Sequence, residues 1–300
     1  MKPKFLSLAV VLLLMSTIWS PVCHASFSRD STSGHKPQPC RDDTVMLVLA
    51  QMQQVVDKLH DGDHYSPQPQ EVVNAVCKAN PANKDQTIVA VAYDEKPQAD
   101  GSVPNAVELA LVDAKNQRVE ALSDGHIFSG GPSPRIDETS LWIDTARYDL
   151  APGRRAFGVE WMDGYSPNCG DGMVGPSRNL YVRDGKSIRP VLQTLFMSHR
   201  WIIQRGADRC NMSSPADTKS IVESTGLAIS VAPTSSNNYR DLWLIADFSI
   251  DDEKPSGSFR YKLQYDGRKY PLESFENAYA LAERAFVRAA ATRLKLKLPF

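Results

Sequence analysis

The chain has 300 residues, 42% of them apolar, with 34 Lys and Arg set against 35 Asp and Glu for a formal net charge of −1. A chain of this length can bury a sizeable core as one large domain or two smaller ones. The charge balance is near neutral and no stretch of the sequence resembles the clustered Lys/Arg field that gathers nucleic acid or anionic lipid by counterion release, so no nucleic-acid partner is expected.

The first 25 residues are the most informative stretch. Lys2 and Lys4 precede a mostly apolar run over residues 5–18, and Cys23-His24-Ala25 closes the segment on a small residue. This is the pattern of a secretory signal peptide over residues 1–25, too short for a comfortable membrane span, with Ser26 as the expected mature start. Lipid attachment at Cys23 is disfavoured, because Pro21-Val22 stand where a small residue normally precedes a lipidated cysteine. The expected location is therefore periplasmic or secreted, with no transmembrane span after cleavage. Losing Lys2 and Lys4 from 34 basic residues against 35 acidic ones leaves a net charge of −3.

Export also sets the redox state. Four cysteines remain after cleavage, Cys40, Cys77, Cys169 and Cys210, and an even count in an oxidising compartment implies two disulfides. Sequential pairing, Cys40–Cys77 and Cys169–Cys210, keeps each bridge within one local unit. Each closes a loop of about forty residues, for which the chain-entropy model gives about 4 kcal/mol. No CxxC occurs, which argues against a zinc–thiolate site.

Residues 26–39 are rich in Ser, Thr, Gly, Lys and Pro without apolar periodicity and read as a flexible lead. Residues 40–300 are expected to form a single disulfide-stapled α+β domain. Asp42 or Asp43 caps a helix in which Val45, Val48, Leu49, Met52, Val55, Val56 and Leu59 recur at i, i+3, i+4, i+7 spacing. Met46 and Leu47 on its other side predict that its first half is buried nearly all round. A second helix is expected from Pro69 through Val72, Val73, Val76 and Cys77 to Asn80-Pro81, completing an N-terminal helical pair. That pair strains the first disulfide, because Cys40 would lie beyond the far end of a helix about 27 Å long.

Beyond Asp85 the pattern becomes alternating or β-branched. Strands are expected over residues 87–93, 106–112, 118–122, 141–148, 155–161, 180–183, 188–196, 200–204, 221–231, 241–250 and 259–265. Tight turns fall at Pro152-Gly153, Asp184-Gly185 and Asp266-Gly267, the last two read as hairpins. Successive hairpins without intervening helices imply an antiparallel β-rich body, sandwich-like or of open sheets. A C-terminal helix over residues 275–294 carries Phe275, Ala278, Tyr279, Ala282, Ala285, Phe286 and Ala289 on one face. The basic residues from Arg284 to Lys297 form its solvated side.

No catalytic motif identifies an activity. There is no GxSxG elbow and no GxxxxGK[ST] loop. In an extended backbone Ser198 and His199 point to opposite faces and cannot form a dyad with each other. Asp144, Asp163, Asp241 and Asp247 could supply a carboxylate pair, but spacing alone does not say which two meet. His60, Asp61, Asp63 and His64 form a weak metal-ligand cluster around Gly62. It lacks the Glu of the HExxH hydrolytic motif, so the reading is a polar loop without metal. No cofactor is expected.

The preferred binding element is the Gly-rich connection after Trp161, with Asp163, Tyr165, Asn168 and Asp171 as contact residues beside the Trp161 ring. Its stiff aromatics offer contact area, and a bridge at Cys169 limits the entropy lost on binding. Two functions follow. The first is an exported non-catalytic binding, accessory or inhibitory protein of the bacterial envelope whose partner is another exported protein or an envelope component. The second is an envelope hydrolase acting on polysaccharide or peptide with dispersed carboxylates or metal ligands.

Overall fold

The computed structural model describes residues 36, 38–59, 69–97, 103–123, 127–129, 136–137, 139–162, 172–204, 220–251 and 257–294. Among these, helix α1 (Asp42–Leu59) is followed by two antiparallel meanders. The first holds β1 (Val72–Ala79), β2 (Gln86–Asp94), β3 (Asn105–Asp113) and β4 (Arg118–Ser123), with the short β5 (Ile127–Ser129) added beside β3. The second holds β6 (Leu141–Ala151), β7 (Arg154–Trp161), β9 (Ser177–Asp184) and β10 (Ser187–Phe196).

A short parallel pairing of β10 with β4, Ser187 to Leu122 and Ile188 to Ser123, joins the meanders edge to edge. The resulting order is β1-β2-β3-β4-β10-β9-β7-β6. This sheet curls until its outer strands are bridged. Gln38 donates from Nε2 to the Ile143 carbonyl at 3.1 Å and accepts from the Ile143 amide at 2.9 Å, and Lys78 Nζ donates to the same carbonyl at 3.1 Å. The concave side encloses Ile88, Leu109, Leu141, Val159, Trp161 and Ile188. On the other side of β2 and β3, Val89, Val91 and Ala110 pack under Val48, Leu49 and Met52 of α1. Covered on both faces, β2 is a continuous apolar run instead of an alternating one.

A second sheet runs β14 (Gly257–Leu263), β13 (Tyr239–Ile250), β12 (Ile221–Ser236), β11 (Ser198–Gln204) and β8 (Gly172–Val174), all antiparallel. With helix α2 (Glu273–Leu294) it packs on the convex side of the second meander. Leu180, Val182 and Leu192 there share a core with Leu227, Leu242, Leu244 and Phe248. Phe286 of α2 stacks on Phe248 at 5.2 Å between centroids. A Cβ on Gly257 would stand 2.8 Å from the Phe286 ring, so the missing side chain there lets α2 approach the sheet.

The body is thus β-rich with two helices, one near each end of the described chain, and the expected N-terminal helical pair is not formed. Residues 72–79 are strand β1, paired with β2 from Val72 opposite Tyr93 to Ala79 opposite Thr87. Val72, Val73 and Val76 are β-branched and prefer a pleated surface; over so few residues their spacing also fits a helix, which is why periodicity alone misreads them. The same change removes the strain on the disulfide. Residues 38–40 run back along β1, with Pro39 bridged to Val76 and the Cys77 amide on the Gln38 carbonyl at 2.8 Å. Cys40 and Cys77 are bonded, their Cα atoms 4.8 Å apart. Cys169 and Cys210 lie outside the described residues.

All eleven expected strands coincide with observed ones, while β1, β5 and β8 were not foreseen. Two further expectations change. Met46 is 49% exposed, so α1 buries one face and not its whole first half. Asp266-Gly267 makes a turn, the Asp266 carboxylate accepting from the Arg268 and Lys269 amides, but the chain leaves it for α2 and not for a strand. Among the described residues no helix is long and apolar enough to cross a membrane. The disulfide is compatible with an exported protein.

Candidate functional site

The hairpin joining β6 to β7 and the hairpin joining β12 to β13 meet at one end of the molecule. Pro152-Gly153 makes the first turn, with Gly153 at φ 69°, and Asn237-Asn238 the second, at φ 47° and 69°. Asn tolerates this left-handed backbone better than most side chains. Between the two turns lies a cleft of about 690 Å³ lined by Arg147, Arg154, Arg155 and Arg240, with Asp149 as the acidic member.

Each guanidinium in the cleft is held differently. Arg147 donates from Nε to Asp149 at 2.8 Å while remaining 84% exposed. Arg154 reaches the Arg183 carbonyl at 3.3 Å and stands 3.6 Å from Asp184. Arg155 donates from Nη2 to the Thr145 carbonyl at 3.0 Å, and its buried Nε, 4.0 Å from Asp149, has no hydrogen-bond partner among the described residues. Arg240, from the other hairpin, is exposed. Four groups that stay protonated at any physiological pH line the cleft with one carboxylate, Asp149, while Asp184 stands outside the lining beside Arg154. Planar forks of this kind suit phosphate or carboxylate oxygens.

A second polar locus lies where α2 crosses β11 and β12. His199 Nε2 is 2.8 Å from Glu283 Oε1, 4.0 Å from Glu223 Oε2, and in hydrogen-bond contact with the Tyr279 hydroxyl. Thr225 Oγ1 donates to Glu223 Oε1 at 2.6 Å, and the Tyr279 hydroxyl also stands 3.3 Å from Glu283. Strand register explains the gathering. His199 pairs with Thr225 and Trp201 with Glu223, so these four side chains share the face that α2 covers. Burial pushes the Glu223 carboxyl up to about 7, against the pull of the Thr225 hydrogen bond and His199. Burial likewise raises the Tyr279 phenol. Trp201, 41% exposed, lies beside His199 and over Gly172, where a Cβ would run into its ring.

Of the binding residues expected from sequence, Trp161 packs inside the curled sheet at 4% exposure. Asp163, Tyr165, Asn168 and Asp171 lie outside the described residues, as do His60, Asp61, Asp63 and His64. Of the carboxylates considered as a pair, Asp163 lies outside the described residues, and Asp144 and Asp241 have separate partners. Asp144 meets Arg178 and Tyr148, and Asp241 accepts from Thr234 at 2.5 Å with Lys262 at 3.8 Å. His199 turns towards α2, away from any dyad with Ser198.

Neither locus was singled out from sequence. The signal for the cleft is Arg147, Arg154 and Arg155 around Pro152-Gly153; Arg240 joins only through packing. The second locus draws on residues from one helix and two strands, with no motif spacing to mark it. No protein-family model, no curated protein and no solved structure matches this chain.

Proposed function

We infer that this chain is an exported, non-catalytic binding or accessory protein of the bacterial envelope whose ligand is an anionic envelope component. The observation that carries the reading is the cleft of about 690 Å³ whose lining holds four arginines and one aspartate, with Asp184 outside the lining beside Arg154. The secretory leader and the Cys40–Cys77 bridge support the compartment.

The test is calorimetric titration of the mature protein with a phosphorylated glycan fragment and, separately, a uronic-acid oligosaccharide. Binding to one of them should weaken with added salt and fall at least tenfold in an Arg147→Ala, Arg240→Ala double variant. Both residues are exposed, so the variant should fold. Absence of binding to either probe, or an affinity indifferent to these arginines, overturns the reading.

The alternative, an envelope hydrolase acting on polysaccharide or peptide, draws on the convergence of His199, Glu223 and Glu283. It requires cleavage of cell-wall polymer or peptide by the purified protein, abolished by Glu223→Gln. Binding without turnover favours the first reading.

A further inference from the structure

The locus under α2 has a property that the arginine cleft lacks: two carboxylates and an imidazole converge with no fixed cation among them. One ligand atom from each of His199, Glu223 and Glu283 lies within 4.8 Å of the others. Among the described residues, neither Glu223 nor Glu283 pairs with a lysine or arginine; the ion-pair partner of both is His199. Glu223 is 1% exposed. Its Oε1 accepts from Thr225, while Oε2 faces His199 at 4.0 Å. A carboxylate removed from water normally needs a counter-charge or a full set of donors.

We propose that His199, Glu223 and Glu283 bind one divalent transition-metal ion, with zinc as the best-fitting class. Imidazole nitrogen and carboxylate oxygen are each ordinary zinc donors, and the ligand atoms around a tetrahedral zinc lie about 3.3 Å apart. The two separations from His199 Nε2, 2.8 Å and 4.0 Å, bracket that value and no pair in the set exceeds 4.8 Å, so binding calls for side-chain adjustments and not backbone movement. Thr225 acts from outside the ligand set, holding Glu223 Oε1 so that Oε2 points at the ion. The Tyr279 hydroxyl, in contact with both His199 Nε2 and Glu283, would give up the imidazole nitrogen to the ion and keep its hydrogen bond to Glu283. Because Glu283 sits on α2 while the other two ligands sit on β11 and β12, the bound ion would cross-link the helix to the sheet. This site is separate from the anion cleft, and either can fail without the other.

The experiment uses the mature protein, stripped with a chelator and dialysed, then titrated with zinc against a chromophoric competitor. Expected are one zinc per chain, a rise in melting temperature that the chelator reverses, and a loss of at least a hundredfold in affinity for His199→Asn and for Glu223→Gln. Glu283→Gln, on the partly exposed face of α2, is the variant safest for folding and should lose affinity similarly. Thr225→Val should lose about tenfold, as outer partners of metal ligands do. A His60→Ala, His64→Ala double variant should bind as the wild type does. Cobalt(II) in place of zinc should give visible absorption of four-coordinate intensity that disappears in Glu283→Gln. No uptake at micromolar zinc, or uptake that survives Glu283→Gln but is lost with His60 and His64, overturns the proposal.

Discussion

Two buried polar clusters, one on each sheet, are balanced in different ways. On the curled sheet Arg178 holds Glu160 through Nε at 2.8 Å and through Nη2. The same guanidinium donates to the Tyr148 hydroxyl at 2.9 Å and stands 3.2 Å from Asp144, to which Tyr148 donates in turn at 2.7 Å. Its positive charge is permanent, so the cluster contains its own cation. Under α2, by contrast, Glu223 and Glu283 meet an imidazole and hydroxyl groups. Burial alone says little about function. A cluster that carries its counter-charge is complete as a structural element, whereas one without it must take up a proton or an outside cation.

The largest expected effect breaks the complete cluster. Arg178→Met would strand Glu160, 3% exposed, without its counter-ion and should cost about 3–5 kcal/mol in a denaturant melt. Glu283→Gln in metal-free protein should cost only about 0.5–1.5 kcal/mol, the scale of one hydrogen bond. Equal losses from the two substitutions would erase the distinction between the clusters. Next in size is the covalent tie, which holds the curled sheet. Replacing Cys40 and Cys77 together by Ala should lower stability by about 2–4 kcal/mol, because the unfolded chain regains the freedom of a closed loop. A melt unchanged by the double replacement would mean that the strap at Gln38 holds the closure without it.

The helix that completes the second cluster can be displaced more gently. Gly257→Ala puts a methyl against Phe286 and should cost about 1–3 kcal/mol while weakening zinc uptake, since α2 carries Glu283. Loss of stability with undiminished zinc affinity would uncouple α2 position from the cluster. The smallest effect concerns pH on the curled sheet. The Gln86 hydrogen bond, with help from Arg183 and Arg118, holds the Glu120 carboxyl below its ordinary value of 4.5. The folded state therefore binds this proton less readily than the unfolded one, and the contribution is present above about pH 4.5 and lost as pH falls below it. Glu120→Gln should flatten the acid limb of the stability curve measured by thermal melts. An identical acid limb in the variant would assign that limb to other carboxylates.

Much of the architecture was legible from residue patterns. The apolar spacing of α1 and α2, the alternation in β13, and the turns at Pro152-Gly153 and Asp184-Gly185 follow from rules that act within a few residues, and the Cys40–Cys77 pair from a preference for local bridges among the three pairings four cysteines allow. Side-chain period and turn chemistry are local, so they can be read one segment at a time.

Tertiary structure decided the remainder. Val72, Val73 and Val76 became a strand because β2 offered a ladder to pair with, and the short parallel contact of β4 with β10 turned two meanders into one curled sheet. Arg240 reached Arg147 and Arg155 only because two hairpins end at the same place. Likewise, His199, Glu223 and Glu283 met only when strand register and the approach of α2 past Gly257 were both set. Neither site has a repeat or a spacing of its own. Each depends on the relative placement of elements distant in the chain, which is controlled by the packing between sheets and helix and not by local preference.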